Sequence, residues 1–341
     1  MLITTPPDFS TADAAFLAAD AYGIKANAKT LVSERDQNFQ LTTRNGMRYI
    51  LKISNKAEQL KVIDFQNQAL IHAGRVDPSF PMPRVIPSLE GQLHCEVERD
   101  GNTHFVRMLS WLEGSVIHDT MVDAGFARRM GQLLARLGLA FKGFDHPGSN
   151  PPSLWDMKRA ASLADLIAHI EDRQLRPIIE KTLDKFISQV KPVLKTLRSQ
   201  VIHNDLNPGN VVIDSQRPDQ INGVIDFGDL IKSPLIIDLA VAAAYQLKKG
   251  NDPLEGALPM IAGYHSITPL LDAELELLTD LIRTRLITSL LIGSYRATLF
   301  PENREYLLIS QRSARDFLLN INHLSTDEAL TRIYDACLST R

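Results

Sequence analysis

The chain contains few cysteines, no long apolar run and little net charge. Its 341 residues include only Cys95 and Cys337, so a disulfide framework is not expected and a reducing, cytoplasmic location fits. No apolar run approaches the ~20 residues of a membrane span, and residues 1–10 lack the basic start and apolar core of a signal peptide. The net charge of −3, from 37 basic and 40 acidic residues, gives no broad basic field. Neither membrane nor nucleic-acid partners are therefore expected.

The composition predicts a packed globular protein, because 44% of the residues are hydrophobic and 23% are charged. From about Asn27 to Trp111, short β-type runs surround a single helical segment, Lys56–Ala73. The turn signals Asn45-Gly46 and Asp100-Gly101 predict two β-hairpins. A short helix capped by Ser10 or Thr11 is expected before them.

After Trp111 the chain shows long helical patterns with apolar residues at three- and four-residue spacing. These patterns cover Ala124–Phe141, Leu175–Leu197, Leu235–Lys248 and Leu271–Leu299. We therefore predict an α+β, bilobal, protein-kinase-like fold with a small antiparallel N-terminal lobe (1–110) and a larger helical lobe (111–341). The functional site is expected in the cleft between the lobes.

The segment His203–Asn210, followed by Ile225–Gly228, carries the chemistry. Phosphoryl transfer needs a carboxylate beside the attacking hydroxyl and oxygen ligands that hold Mg²⁺ on the phosphates. In the protein-kinase pattern an Asp is the base, and an Asn and a second Asp hold the metal. Those roles fall here on Asp205, Asn210 and Asp226. An isolated Asp in a turn is usually explained by turn chemistry, but the ordered set favours phosphoryl transfer. A zinc site is not favoured, since paired His/Cys spacing is absent from the sequence.

A nucleotide needs further contacts from the N-terminal lobe. Lys52, on an apolar strand, is read either as an exposed strand lysine or, given the downstream motifs, as a phosphate ligand held by Glu58 or Asp64. The turn 33–39 lies where a phosphate-covering loop is expected but contains no glycine, which makes close backbone approach harder. The side chains of Ser33, Gln37 and Asn38 are candidate phosphate donors, and an ordinary surface loop is the alternative.

The acceptor is expected to be a small molecule. Asp226 is followed only twelve residues later by Asp238, already in a helical run, which leaves no room for the activation segment of a protein kinase. Asn204 also stands where protein kinases have the arginine that reads a phosphorylated loop. Both departures favour an unregulated small-molecule kinase.

These motifs make the chain resemble the aminoglycoside phosphotransferase and choline kinase superfamily, most closely its hydroxylysine kinase branch. The resemblance rests on segments 33–39, 49–55, 63–67, 143–147, 154–157, 203–210, 224–229 and 301–310. It implies that Asp205 is the general base, that Asn210 and Asp226 bind Mg²⁺, and that Lys52 binds phosphate of ATP or GTP.

The resemblance also implies nucleotide contacts outside the catalytic segment. Gln37, Asn38 and Phe39 are similar to the family's nucleotide loop, and 107–114, which contains Met108 and Ser110, is similar to the hinge that contacts the base. Asp64 occupies the usual place of the lysine's acidic partner, which favours it over Glu58. Asp238 resembles the aspartate that braces the catalytic loop.

Relatives in this superfamily phosphorylate an alcohol on a small, usually amine-bearing acceptor. Carboxylates near the cleft mouth would receive the amine, and Arg285 would receive a carboxylate if the acceptor is an amino acid. The acidic candidates are Glu113, Asp119, Asp156 and Asp229, of which Asp156, beside Trp155, and Asp229 are favoured.

Several alternatives stay open at this point. Hydroxylysine, homoserine, choline, ethanolamine and aminoglycosides are all candidate acceptors, and ATP is not distinguished from GTP. A catalytically silent nucleotide-binding protein and an atypical protein kinase are the rival functions; the intact Asp205, Asn210 and Asp226 disfavour the first. The oligomeric state is not determined by the sequence.

Overall fold

The structure is a computed structural model that describes residues 6–33, 35–117, 123–301 and 304–339, and structural statements refer to these ranges. Glu34 of the predicted phosphate-covering turn and Asp119, a candidate acceptor carboxylate, lie outside the described residues, as does part of segment 301–310. Within the described ranges, no helix is both long and apolar enough to cross a membrane.

The N-terminal lobe is an antiparallel sheet with a helix on each face. Its elements are α1 (Thr11–Tyr22), β1 (Ala26–Leu31), β2 (Gln37–Thr43), β3 (Arg48–Ile53), α2 (Leu60–Val76), β4 (Val85–Ile86), β5 (Cys95–Arg99) and β6 (Asn102–Ser110). The strand order is β1-β2-β3-β6-β4, and β5 also pairs with β6.

Local sequence signals account for the turns and for the start of α1. Ser10 caps α1 in a reciprocal capping box with Asp13, as expected from the sequence. Gly46, in the turn between β2 and β3, has a φ of 84°, and the turn between β5 and β6 has positive φ at both Asp100 (50°) and Gly101 (70°). Positive φ at two central residues is what a tight hairpin of this type requires. The antiparallel pairing of β2 with β3 and of β5 with β6 confirms both predicted hairpins.

The two faces of this sheet have different environments. Phe39, Leu51 and Met108 are fully buried in a cluster that also contains residues of α1. Because side chains alternate along a strand, Asn38 and Lys52, which are neighbours in the β2–β3 register, lie on the opposite face. That second face is turned towards α2 and the cleft.

The C-terminal lobe is mostly helical. Its elements are β7 (Ser115–Val116), α3 (Ala124–Ala140), a 3₁₀ helix (Met157–His169), α4 (Leu175–Lys185), α5 (Lys191–Leu194), β8 (Ser199–Ile202), β9 (Val211–Ile213), β10 (Ile221–Val224), β11 (Ile231–Pro234), α6 (Leu235–Ala244), α7 (Ala257–Ile267), α8 (Asp272–Leu299), α9 (Arg304–Ile321) and α10 (Thr326–Leu338). The predicted α+β bilobal arrangement is confirmed.

Two predicted helices differ in detail from the structure. The predicted helix 175–197 is interrupted by a π-helical turn, Phe186–Val190, just before Pro192. Proline removes a backbone donor and crowds the carbonyl four residues earlier, which accounts for a local departure from α geometry. Helix α2 begins at Leu60 rather than at Lys56.

Close backbone contacts fix the positions of three helices, α2, α3 and α7. A Cβ on Gly131 of α3 would lie 2.0 Å from the carbonyl oxygen of Met260 in α7, and one on Gly263 would lie 2.1 Å from that of Arg128. Helix α2 is also held against the C-terminal lobe, since a Cβ on Gly148 would lie 2.2 Å from the carbonyl oxygen of Lys61. The helix next to the cleft is therefore packed on both lobes.

Candidate active site

The loop that follows β8 is held by a buried carboxylate. Asp238, in the first turn of α6, accepts hydrogen bonds from the backbone N–H groups of His203 (3.2 Å) and Asn204 (2.7 Å). Asn204 has a φ of 66°, an uncommon conformation that asparagine tolerates better than most residues. The predicted bracing role of Asp238 is confirmed.

The imidazole of His203 joins this loop to the segment that carries Asp226. Its Nδ1 accepts a hydrogen bond from the backbone N–H of Asp205 at 3.3 Å and is therefore unprotonated. The proton of the neutral ring is then on Nε2, which donates to the carbonyl of Ile225 at 3.1 Å. The ring also packs edge-on against Phe227, with 4.9 Å between centroids. The two catalytic segments are thus tied to each other.

Asp205 is held by three side-chain donors. Its Oδ2 accepts hydrogen bonds from the amides of Asn207 and Asn210, both at 2.9 Å, and its Oδ1 accepts one from Nη2 of Arg285 at 3.1 Å. Burial raises the pKa of Asp205 to about 7, against the opposing effect of Arg285. A carboxylate with a pKa near neutrality is suited to accept and release a proton at physiological pH.

Asn210 and Asp226 present oxygen atoms beside this carboxylate. The amide nitrogen of Asn210 donates to both the backbone carbonyl and the side-chain carboxylate of Asp205, so its oxygen is the atom left to act as a ligand. Lys52, and next Arg35, lower the pKa of Asp226 to about 2 against the effect of burial, so this carboxylate stays ionised. The chemistry of these two oxygens fits Mg²⁺. No cluster of three or more His, Cys, Asp or Glu suited to a metal occurs in the described part of the chain.

The predicted ion pair between Asp64 and Lys52 is wrong. Asp64 lies 3.1 Å from Nε2 of His146 in the C-terminal lobe, whereas Nζ of Lys52 lies 3.5 Å from Asp226. Glu58, the alternative partner, accepts the backbone N–H of Gln59 instead.

The contact from α2 to the catalytic segment is made by Gln66. It accepts a hydrogen bond from the buried Arg107 and donates to the carbonyl of Gly228 at 3.0 Å. The spacing of apolar residues in α2 did not predict the contact of Gln66 with Gly228, because apolar residues cover most of that helix.

Four of the predicted nucleotide-binding side chains are occupied elsewhere. Both polar atoms of the Gln37 side chain bond the backbone of Phe9, and Phe39 is buried beneath α1. Met108 is buried in the same cluster, and the hydroxyl of Ser110 accepts the N–H of Arg84. These four side chains therefore make structural contacts, and nucleotide contacts through the backbone of the same residues stay a prediction.

The other two residues of the predicted phosphate-covering turn, Asn38 and Ser33, differ in position. Asn38 shares the cleft-facing side of the sheet with Lys52, and its Oδ1 is buried without a hydrogen-bond partner among the described residues. Ser33 lies, partly exposed, in the loop between β1 and β2.

The candidate acceptor residues separate into two groups. Asp156 is almost fully buried, caps the 3₁₀ helix through the N–H of Lys158 (3.1 Å) and pairs with Arg159, so its predicted acceptor contact is replaced by a structural one. Glu113 pairs with Arg48 on the surface. Asp229, by contrast, lies in the cleft.

Arg285 lies directly against the candidate base. Its guanidinium stacks on Trp155, 4.7 Å from the ring centroid, and Nη2 donates to both Asp205 and the hydroxyl of Tyr245 at 3.1 Å. Its Nε and Nη1 are buried without a hydrogen-bond partner in the described part of the chain. The Arg285 side chain is only 4% exposed. Two buried nitrogens without acceptors lower the stability of the folded protein unless a ligand binds them.

Arg35 and Tyr245 were not singled out from the sequence. Nη2 of Arg35 reaches across the cleft to Oδ1 of Asp229 at 3.1 Å. Arg35 lies within the predicted phosphate-covering turn, which contains no glycine. A cationic side chain in such a turn is the sequence signal that could have identified Arg35 as a cleft residue. For Tyr245, at the end of α6, no comparable signal exists in the sequence.

The bilobal protein-kinase-like fold, with an Asp, an Asn and a second Asp in kinase order at the cleft, defines a phosphotransferase. Residues 28–269 match the phosphotransferase enzyme family. The chain belongs to this family, and it is a small-molecule kinase.

Known relatives and structures agree with this assignment. Hydroxylysine kinase of Danio rerio is 27% identical over 98% of this chain and 98% of its own length. Homoserine kinase of Gluconobacter oxydans is 28% identical over 61% of this chain and 64% of its own length. Among solved structures, amicoumacin kinase hAmiN in complex with AMP-PNP, Ca²⁺ and Ami superposes with a TM-score of 0.70 at 15% identity, covering 94% of this chain and 97% of that chain.

Proposed function

We propose that this protein transfers the terminal phosphoryl group of ATP or GTP to the hydroxyl of a small hydroxy amino acid, with a hydroxylysine-like acceptor. The observation that carries the proposal is the contact between Asp205 and Arg285: a carboxylate with a pKa near neutrality adjoins a buried guanidinium with unpaired donors. The first group suits proton transfer, and the second suits a carboxylate on the acceptor.

In the proposed mechanism, Asp205 accepts the proton of the attacking hydroxyl. Asn207, Asn210 and Arg285 hold its two oxygens, so the carboxylate is oriented before the acceptor binds. Lys52 contacts the phosphates from β3. Asn210 and Asp226 would hold Mg²⁺, which would supply charge stabilisation on the phosphates.

The amino-acid character of the acceptor is supported by Arg285. Its Nε and Nη1 have no hydrogen-bond partner among the described residues, and either nitrogen can donate to a carboxylate oxygen. Hydroxylysine and homoserine, which the names of the curated relatives specify, both carry a carboxylate, whereas choline, ethanolamine and aminoglycosides do not. The amine of the acceptor is proposed to bind Asp229, an acidic side chain in the cleft.

We further propose that residues 1–110 form the nucleotide-binding lobe, that 111–341 form the catalytic and acceptor-binding lobe, and that the protein is cytoplasmic. The contacts of Lys52 and Arg35 with Asp226 and Asp229 support this division, because cations of the first lobe face acids of the second.

The test is Mg²⁺-dependent release of nucleoside diphosphate from ATP and from GTP, measured separately. The acceptor panel pairs hydroxylysine and homoserine with ethanolamine, choline and an aminoglycoside, and Asp205→Asn is the blank. Release with the carboxylate-bearing acceptors that is lost in Asp205→Asn is expected. Release only with the acceptors that lack a carboxylate would refute the assignment of Arg285.

A silent nucleotide-binding protein would give a different result. It would bind nucleotide but show release at the level of the blank with every acceptor. Asp214→Asn is the matched control, because Asp214 accepts backbone N–H groups in an exposed turn at the opposite end of β9 from Asn210, and its substitution should leave turnover unchanged.

A further inference from the structure

An arginine of the N-terminal lobe closes the cleft on an acid of the C-terminal lobe. Nη2 of Arg35 lies 3.1 Å from Oδ1 of Asp229, and the two side chains are 45% and 20% exposed. The same nitrogen lies 3.6 Å from the position that a Cβ on Gly228 would take. The guanidinium therefore rests on the turn that immediately follows Asp226.

The backbone of Arg35 is anchored although its side chain is not enclosed. The carbonyl of Arg35 accepts a hydrogen bond from Nδ2 of Asn55 at 3.2 Å, and the backbone N–H of Asn55 donates to the carboxylate of Asp36 at 3.0 Å. The loop is thus tied to the end of β3, the strand that carries Lys52. The side chain can change partners without movement of the loop's base.

The charges around Arg35 favour such an exchange. Asp229, and after it Asp36 and Asp226, raise the pKa of Arg35, so the side chain is a permanent cation among acids. The loop between β1 and β2 has no glycine to bring backbone N–H groups close to phosphate. An arginine fork binds phosphate oxygens in pairs, which is a stronger contact than a partly exposed ion pair with one carboxylate oxygen.

We propose that Arg35 couples the two substrates: the phosphates of the nucleotide replace Asp229 as its partner, and Asp229 becomes available to the ammonium group of the acceptor. This inference rests on the proposed function, because it requires an amine-bearing acceptor. Nucleotide then binds first, and each substrate increases the affinity for the other by the same factor. Arg35 contacts the nucleotide, while Asp229 serves first as its competitor and then as the acceptor's ligand.

The first experiment measures nucleotide affinity without an acceptor. Titration calorimetry with Mg²⁺ and a non-hydrolysable ATP or GTP analogue is applied to the wild type, Arg35→Gln, Asp229→Asn and the double variant. Arg35→Gln should weaken binding about tenfold. Asp229→Asn should strengthen it about threefold, because a competitor for Arg35 is removed. Arg99→Gln, which breaks an exposed pair with Asp13 near α1, is the matched control and should have no effect.

The double variant identifies how Asp229 acts. If Asp229 affects the nucleotide only through Arg35, the double variant should bind the analogue as weakly as Arg35→Gln alone. Weaker binding in Asp229→Asn, or unchanged binding, would overturn the proposal, since Asp229 would then be a nucleotide or metal ligand, or a purely structural partner.

The second experiment measures acceptor binding without nucleotide. Hydroxylysine should bind the wild type about threefold more tightly when the nucleotide analogue is present, whereas Arg35→Gln should bind it equally in both conditions. Equal binding to the wild type with and without the analogue would overturn the coupling. Failure of the proposed function would be seen separately, as absence of acceptor-dependent turnover, while the nucleotide affinities of the variants would still report on Arg35 and Asp229.

Discussion

Removal of the carboxylate of Asp238 should destabilise the protein and displace its candidate base. Asp238→Ala leaves the N–H groups of His203 and Asn204 without their acceptor in a region where both residues are buried. An unsatisfied buried donor costs about 1–3 kcal/mol, which gives about 2–6 kcal/mol for two. Burial raises the pKa of Asp238, which means that the buried carboxylate itself carries a desolvation cost. Removal of the carboxylate relieves that cost and so offsets part of the loss. We expect a loss of about 3 kcal/mol.

The measurement is the free energy of unfolding from urea denaturation, together with kcat. Asp238→Asn retains one carbonyl oxygen and should lose less, about 1–2 kcal/mol. Asp214→Ala is the control, because Asp214 also accepts two backbone N–H groups but in an exposed turn where water can replace it. A loss below about 1 kcal/mol in Asp238→Ala, with kcat within twofold of the wild type, would refute the bracing role.

The remaining predictions concern the base and the helical packing. Because the pKa of Asp205 is raised to about 7 and the base must be ionised, kcat/KM should rise with pH through that value. In Asp205→Asn the rise should vanish and turnover should fall about 10²–10⁴-fold; a retained rise would exclude Asp205 as its source. Arg285 lowers the pKa of Asp205, so Arg285→Met should move the rise to higher pH, and an unmoved profile would contradict the contact. Gly131→Ala should cost more than about 2 kcal/mol in calorimetric unfolding, because its Cβ would meet the carbonyl of Met260 at 2.0 Å. Gly125→Ala, with 3.3 Å to its nearest atom, is the control, and equal losses would argue against close packing of α3 and α7.

The catalytic segment was predictable because its chemistry is local. Asp205 and Asn210 lie five residues apart on one loop, and a short hairpin brings Asp226 next to them. Spacing along the chain therefore determines their proximity in space. The brace from Asp238 was predicted from the family resemblance alone, and in the structure the β8–β11 pairing brings the two segments together.

Contacts between distant elements were not predictable in the same way. The sequence shows that Phe39 and Met108 are apolar residues on predicted strands. It does not show that their face of the sheet packs against α1 and that the opposite face borders the cleft. The partner of Asp64 depends on how α2 packs on the C-terminal lobe, and a helix with apolar residues on most sides does not indicate that orientation.

Two acceptor candidates illustrate the same limit. Asp156 precedes a helix and could have been recognised as its cap, but the irregular 3₁₀ pattern of 157–169 did not indicate a helix. Arg285 lies on α8, which is buried on most of its surface, so the sequence does not show which neighbour its guanidinium meets.

The position of Arg285 limits how the acceptor range of this enzyme can change during evolution. In many enzymes, the residues that select a substrate can be exchanged while the reactive groups are left intact. Here a single guanidinium is proposed to receive the acceptor, and it also donates to the base at 3.1 Å. A substitution that adapted the site to an acceptor without a carboxylate would also alter the proton affinity of Asp205. New specificities should therefore arise more readily through changes at Trp155 or Tyr245, which contact Arg285.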